Sequence, residues 1–125
     1  MDAIQLKTET DVVKTEGPNR YSRDEVTIAS GSGEIEIGEV LGKVTATGKY
    51  KPLAPAASDG TQTAARISLQ NADATAADAS RVVVLSRHAE VVRQALIWPA
   101  GITDSQKATA LAQLETAGIV ARRGV

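Results

Sequence analysis

Short runs of alternating apolar and polar residues, separated by glycine-rich turns, restrict the middle of this chain to a β-rich fold. Successive side chains of a strand point to opposite faces, so each run predicts a strand with one buried face. The predicted strands are Val26–Ala29, Glu34–Ile37, Val40–Ala46, Ala65–Leu69 and Arg81–Ser86, with a short one that begins at Tyr50. The run Arg81–Ser86 is the exception to alternation, because it is continuous and β-branched and therefore predicts a strand covered on both faces. Gly42 lies inside the third strand, and a glycine there often marks a bulge or a close approach of two backbones.

The run Glu34–Ile37 shows the alternation most clearly. We expect Ile35 and Ile37 to be half-buried, because they fall on one face of the strand. Glu34 and Glu36 then fall on the opposite, solvated face, so they do not read as a catalytic acid pair.

One segment predicts a clear helix near the C-terminus. Thr103 and Gln106 have the spacing of a capping box, with Thr103 as the N-cap. Gly118 is well placed to end the helix, and Ile119–Ala121 predicts a short terminal strand. Apolar residues follow the N-cap at helical spacing: Ala108, Leu111, Ala112 and Leu114.

Three other segments are less regular. Proline, serine and glycine predict a loop over residues 51–63. Residues 71–80 are rich in alanine and aspartate and are also predicted to be a loop, because Asp and Asn favour caps and turns over helix interiors. The apolar residues of Ala89–Trp98 fit either a helix or a strand.

Composition excludes several classes of protein. The 125 residues are enough for one domain, and the formal net charge of −1 comes without a basic stripe, which argues against a nucleic-acid partner. The absence of cysteine excludes disulfides and thiolate metal sites. No apolar run approaches the roughly 18 residues that span a bilayer, and residues 1–5 lack the features of a signal peptide. We therefore expect no membrane partner and no secretion.

Aromatic residues are scarce. Tyr21, Tyr50 and Trp98 are the only ones, and phenylalanine is absent. A core built mainly from aliphatic side chains is thin for this length, which is a weak argument for burial of further surface between subunits. Trp98 is then an anchor either of the core or of a subunit interface.

No catalytic motif emerges. His88 is the only histidine, and it is more readily a structural or surface residue than the base of a small hydrolase, although the hydrolase remains a minor alternative. The loop residues Asp59, Asp73 and Asp78 lack the spacing of a calcium loop. We predict no catalytic, cofactor-binding or metal-binding residues and no cofactor.

The first 24 residues differ from the rest. Charged residues are scattered through them, and Gly17–Asn19 interrupts them. Such a segment is either a frayed terminus or an arm that adds a strand to a partner's sheet. We expect a flexible arm over residues 1–24 and a single β-rich domain over residues 25–125.

Several segments together resemble the head decoration proteins of lambda-type tailed phages. The resemblance covers roughly residues 25–121, and it departs from the family pattern at Ser86–Val91. It favours a strand in the second half of Ala89–Trp98. The segments that carry it are Gly38–Tyr50, Ala56–Thr63, Asn71–Asp78, Leu96–Ile102 and Gly118–Ile119.

This resemblance implies a fold and a role. The fold is mainly β, a bent ribbon of the β-clip kind or a small barrel, with one C-terminal helix. The protein is made in the host cytoplasm, forms a homotrimer and binds the major capsid protein on the outer surface of the expanded head. There it stabilises the head against packaged DNA, without enzymatic activity. The alternative that stays open is another non-enzymatic virion module, such as a tail or baseplate adaptor.

The resemblance also nominates contact residues. The arm is implied to be disordered in the free protein and to pair with capsid strands. Its candidate contacts are Ile4, Leu6, Val12, Val13 and Tyr21. The candidate trimer contacts are Trp98 and Pro99.

Overall fold

A computed structural model describes residue 8, residues 11–18 and residues 21–123 of the chain. Their regular structure is mainly β, as predicted, with a single α-helix near the C-terminus. The elements are β1 (Val13–Glu16), β2 (Arg23–Ile28), β3 (Gly33–Ile35), β4 (Val40–Lys43), β5 (Tyr50–Pro52), β6 (Ala64–Ser68), β7 (Ala72–Ala74), β8 (Ala79–Leu85), β9 (Ala89–Val92), a 3-10 turn (Arg93–Ala95), α1 (Asp104–Thr116) and β10 (Ile119–Arg122).

Five strands close into a small barrel in the order β2-β5-β4-β6-β8. Its longest pairing is antiparallel, between β2 and β8, and runs from Arg23 opposite Leu85 to Ile28 opposite Ala79. Aliphatic side chains such as Leu41 fill the interior with Tyr50, and both are buried. A closed barrel leaves no strand edge open, so these strands are protected from pairing with another chain.

A three-stranded sheet in the order β1-β9-β10 packs beside the barrel. Strand β9 lies at its centre, antiparallel to β1 and parallel to β10. Val12, Val91 and Ile119 are fully buried in one core cluster that also includes Leu114 of α1. Helix and sheet therefore share a second core.

Gly42 lies at a register shift and at a close approach of two backbones, the two features that a glycine inside a strand often marks. The register of β4 with β6 shifts between Leu41 and Gly42. A Cβ atom at Gly42 would lie 2.6 Å from both the Cα atom and the carbonyl oxygen of Thr61. The absence of a side chain is what lets these two segments touch.

Helix α1 begins and ends as the sequence predicts. The Thr103 side chain accepts a hydrogen bond from the Gln106 amide, and the Gln106 side chain accepts one from the Thr103 amide, which completes the capping box. Gly118 has a φ of +87° just beyond the helix, and β10 follows directly. No helix within the described residues is long and apolar enough to cross a membrane.

Two predictions of local structure were wrong. The segment 71–80 is not a loop throughout, because it contains β7 and the start of β8. Pairing of β7 with β3 outweighs the low strand propensity of Asp and Ala. In Ala89–Trp98 the strand is β9, in the first half, and a 3-10 turn follows it. Strand pairs on both sides of β9 fix this assignment.

Packing begins N-terminal to the boundary expected at Glu25. Strand β1 pairs with β9, and Val12 and Ser22 are fully buried. Burial of Val12 in the shared core explains why these residues join the domain. Of the segment expected to be an arm, residues 1–7, 9, 10, 19 and 20 lie outside the described part.

Candidate functional site

Strands β3 and β7 form a separate two-stranded ribbon beside a groove of about 810 Å³. Within the described part of the chain, each strand of the ribbon pairs only with the other, so each has one open edge. The groove is lined by Thr8, Glu34, Ile35, Glu36, Ile37, Asn71, Ala72 and Asp73.

The groove is acidic. The carboxylates of Glu34, Glu36 and Asp73 are exposed, and no lysine or arginine is among the described residues that line it. Glu34 lies directly opposite Asp73 in the register of the ribbon. Hydrogen bonds from Thr75 hold the pKa of Asp73 below its usual value, so this carboxyl is ionised at neutral pH. Ile37 and Ala72 add partly exposed apolar surface between the charges.

Backbone hydrogen bonds connect Ile97, which precedes Trp98, to Gly38 and Val40, which follow the groove-lining strand in sequence. Val40 donates its amide to the carbonyl of Ile97 at 3.1 Å, and Ile97 donates to the carbonyl of Gly38 at 2.9 Å. Trp98 packs against the core through part of its surface and is half-buried, as is Pro99. Both candidate trimer contacts thus retain some exposed surface.

The structure separates the candidate arm contacts. Val12 is fully buried and Val13 packs against the same core, so Val12 cannot present its side chain to a partner while the domain stays folded. Tyr21 is 57% exposed in the connection between β1 and β2. Ile4 and Leu6 lie outside the described residues.

Tyr21 belongs to a small surface cluster. Arg87 donates to the Tyr21 carbonyl at 2.6 Å, and its guanidinium lies 5.4 Å from the centre of the Tyr21 ring. The His88 ring is tilted against the same tyrosine at 5.3 Å. Arg87 also pairs with Asp24. Partial burial alone would raise the pKa of Asp24, but hydrogen bonds and the charge of Arg87 outweigh it and lower that pKa.

His88 is not built into a catalytic arrangement. Its backbone carbonyl accepts a hydrogen bond from the Ser22 hydroxyl at 2.9 Å, but among the described residues no serine or carboxylate is hydrogen-bonded to its ring. The described residues also contain no cluster of three histidine, aspartate or glutamate side chains that could hold a metal ion.

The loop aspartates serve local structure. Asp59 accepts hydrogen bonds from Thr61, and Asp73 accepts one from the amide of Thr75. Asp78 accepts from the Ser30 amide and from Lys49. These bonds fix turns and strand ends, which accounts for the aspartates without a cation.

Sequence reasoning found part of the groove. Glu34 and Glu36 were predicted to lie on a solvated face, and they are exposed. Asp73 was missed as a groove residue because its segment was predicted to be a loop. Strand β7 alternates as Ala-Asp-Ala, but alanine and aspartate are poor strand formers, so this alternation is a weak signal.

Comparison with known proteins adds one finding. The family model of bacteriophage lambda head decoration protein D matches residues 4–119 of the chain. The match includes β1 to β9, the whole of α1 and the first residue of β10. A search of curated proteins found no match.

Proposed function

Because the chain belongs to the family of bacteriophage lambda head decoration protein D, we propose that it trimerises on the outer surface of the expanded phage head and stabilises that head. Its role as a head decoration protein follows from the family. Beyond this family role, we propose that the protein forms a trimer, that it binds the major capsid protein and that it helps the head to resist the pressure of packaged DNA. The observation that carries it is the family match over residues 4–119.

The N-terminal segment is the proposed means of attachment. It precedes β1, which lies at an edge of the β1-β9-β10 sheet as described. An extended arm that pairs with a capsid strand binds through its main chain, so it needs little specific side-chain sequence. Ile4 and Leu6 are its candidate apolar contacts, whereas Val12 belongs to the domain core.

Trp98 and Pro99 are the proposed trimer contacts. A half-buried tryptophan anchors the core with one face and leaves the other for a neighbouring subunit. Light scattering on the purified protein should give about three times the chain mass of 13.0 kDa. A strict monomer would weaken the proposal, because any trimer would then have to assemble on the capsid itself. A role as a tail or baseplate adaptor would then have nearly equal weight.

Deletion of residues 1–7 tests the arm. With an initiator methionine before Thr8, this cut keeps the turn in which the Thr8 amide donates to Asp11 at 2.7 Å, and it keeps Val12 and β1. We expect the shortened protein to keep the solution mass and circular dichroism of the full chain. Its binding to undecorated expanded heads, measured by co-sedimentation, should fall by at least about tenfold as the arm contacts are lost.

A variant without Gly124 and Val125 is the control for shortening a terminus. Undiminished head binding after the N-terminal deletion would show that the arm does not attach the protein. Binding of the full chain to tails instead of heads would favour the adaptor role.

Replacement of His88 by alanine tests the minor alternative of a hydrolase. We expect head binding to be unchanged, because the proposal gives the imidazole no chemical role. A hydrolytic activity of the wild-type protein that this substitution abolished would instead favour the hydrolase.

A further inference from the structure

The loop between β5 and β6 contains the single Asp-Gly pair of the sequence, Asp59–Gly60. In such a pair the backbone nitrogen of the glycine can attack the aspartate side chain, because glycine has no Cβ atom to hinder the approach. Asn-Gly pairs react in the same way, and the sequence has none. Asp59–Gly60 is therefore the position at which this reaction meets the least steric resistance.

The fold requires both residues of the pair. Gly60 has a φ of +109°, and a Cβ atom there would lie 2.3 Å from the Lys43 carbonyl oxygen and 2.4 Å from Oγ1 of Thr45. The Asp59 carboxylate accepts hydrogen bonds from the amide and the hydroxyl of Thr61, at 3.0 and 2.5 Å. Thr61 itself is buried. The loop thus depends on a dipeptide that is chemically reactive.

The same loop holds both reacting groups in other contacts. The Gly60 amide donates to Oε1 of Gln62 at 2.8 Å. The hydrogen bonds from Thr61 hold the Asp59 carboxylate and lower its pKa, so it is ionised at neutral pH and is a poor electrophile. Attack requires the nitrogen and the carboxyl carbon to approach each other in a defined orientation. In the folded loop neither group is free to do so.

We propose that Asp59–Gly60 is a site of isoaspartate formation and that Gln62 restrains the reaction by holding the Gly60 amide. The reaction then proceeds from chains in which this loop has opened locally. This inference goes beyond the proposed function and does not depend on it.

The reaction uses only the chain itself and water. The Gly60 nitrogen forms a bond to Cγ of Asp59 and gives up its proton, while one carboxyl oxygen leaves as water, so a cyclic imide results. Water then adds to the imide carbon that was the main-chain carbonyl of Asp59, and the bond from that carbon to nitrogen breaks. The main chain now runs through the side chain and is longer by the Cβ atom. Because Gly60 lies against Lys43 and Thr45, the longer chain should loosen this loop.

Mass spectrometry on the aged full chain tests the proposal. Trypsin releases the peptide Tyr50–Arg66, in which Asp59 is the sole aspartate and asparagine is absent, so isoaspartate found there has one source. The folded protein should form it at least about tenfold more slowly than the chain in guanidinium chloride, since the loop must open first. Gln62→Ala should raise the rate in the folded protein by about fivefold, the factor expected from the loss of one hydrogen bond.

Two variants are matched controls. Gln62→Glu keeps an oxygen that accepts the Gly60 amide and should react as slowly as the wild-type protein. Thr63→Ala should do the same, because Thr63 is exposed in the same loop and its side chain has no hydrogen bond to any described residue. Gln62 is also exposed, so Gln62→Ala should keep the circular dichroism of the wild-type protein.

Asp59→Asn provides a second measurement. Asparagine reacts faster through the same imide, keeps an oxygen for Thr61 and changes mass on reaction, so the ratio of folded to unfolded rates can be measured directly. Equal rates in the folded and unfolded chains would overturn the protection, and absence of isoaspartate in the unfolded chain would exclude the site. Gln62→Ala reacting as slowly as the wild-type protein would show that Gln62 does not restrain the reaction.

Discussion

At the scale of single residues, a close backbone contact of β4 depends on the missing side chain of Gly42. A Cβ atom there would meet the Thr61 backbone at 2.6 Å, well inside contact distance. We expect Gly42→Ala to lower the free energy of unfolding by about 2 kcal/mol, because two backbone segments must move apart. Urea denaturation measures this change.

Gly101→Ala is the comparison for that substitution. Gly101 has a φ of +78°, but a Cβ atom there would meet nothing within 4 Å. Gly101→Ala should lower the free energy of unfolding by about 1 kcal/mol, which is the cost of a left-handed backbone alone. A Gly42 variant as stable as the wild-type protein would mean that β4 and the Thr61 segment are free to separate.

Glu39 provides a prediction about pH. Its carboxyl is partly buried, and burial raises its pKa above the ordinary value of 4.5, although a hydrogen bond from the Glu36 amide partly offsets this. The folded state therefore holds the proton more tightly than the unfolded state. Its contribution to stability falls as pH rises from 4.5 through the raised pKa.

The substitution Glu39→Gln removes this penalty and keeps an oxygen that accepts the same hydrogen bond. We expect the variant to melt at a higher temperature than the wild-type protein near pH 7, because burial opposes the ionisation of Glu39 in the folded state alone. The difference should shrink below about pH 4, where both states of the wild-type protein are protonated. An unchanged difference at the two pH values would contradict the raised pKa.

At the scale of elements, the cap of α1 is a separable source of stability. The Thr103 side chain satisfies the Gln106 amide, which has no partner within the helix. Thr103→Ala should lower the free energy of unfolding by about 1 kcal/mol. Thr109→Ala, an exposed threonine in the same helix, should change it by only a few tenths of a kcal/mol. Similar losses in both variants would show that the cap itself contributes little.

Elements defined by a local signal were predicted well, and those defined by pairing were not. The capping box predicted the start of α1, alternation located β2 and β6, and a continuous β-branched run located β8. Strand β7 carries only a weak signal, because its three alternating residues, Ala-Asp-Ala, are poor strand formers that pair with β3. Likewise, Val12 reads as one apolar residue among charges until β9 is seen beside β1.

The groove residues show the same difference between local signals, which were predicted, and strand pairing, which was not. Alternation in Glu34–Ile37 predicted its exposed acids and its apolar side. The opposite wall comes from Asn71–Asp73, far along the chain, and a single sequence contains nothing that pairs two such distant segments. Like charges at Glu34 and Asp73 would even argue against pairing them.

At the scale of the whole molecule, a trimer makes stability depend on protein concentration. Unfolding of a trimer to three separate chains is opposed by mass action. We expect the thermal midpoint to rise by about 4 °C for each tenfold increase in concentration, given typical unfolding enthalpies for a chain of this length. Calorimetry at several concentrations measures it. A midpoint independent of concentration would indicate that the free protein is a monomer.

The order of the β1-β9-β10 sheet has a consequence for biosynthesis. All five barrel strands lie between Arg23 and Leu85, so the barrel can close while the rest of the chain is still being translated. The sheet needs Ile119–Arg122, which are translated after all the barrel strands, to cover one side of β9. Nascent chains therefore emerge with a finished barrel and an incomplete second core. The complete surface of the domain exists only after Ile119–Arg122 have been translated and have paired with β9.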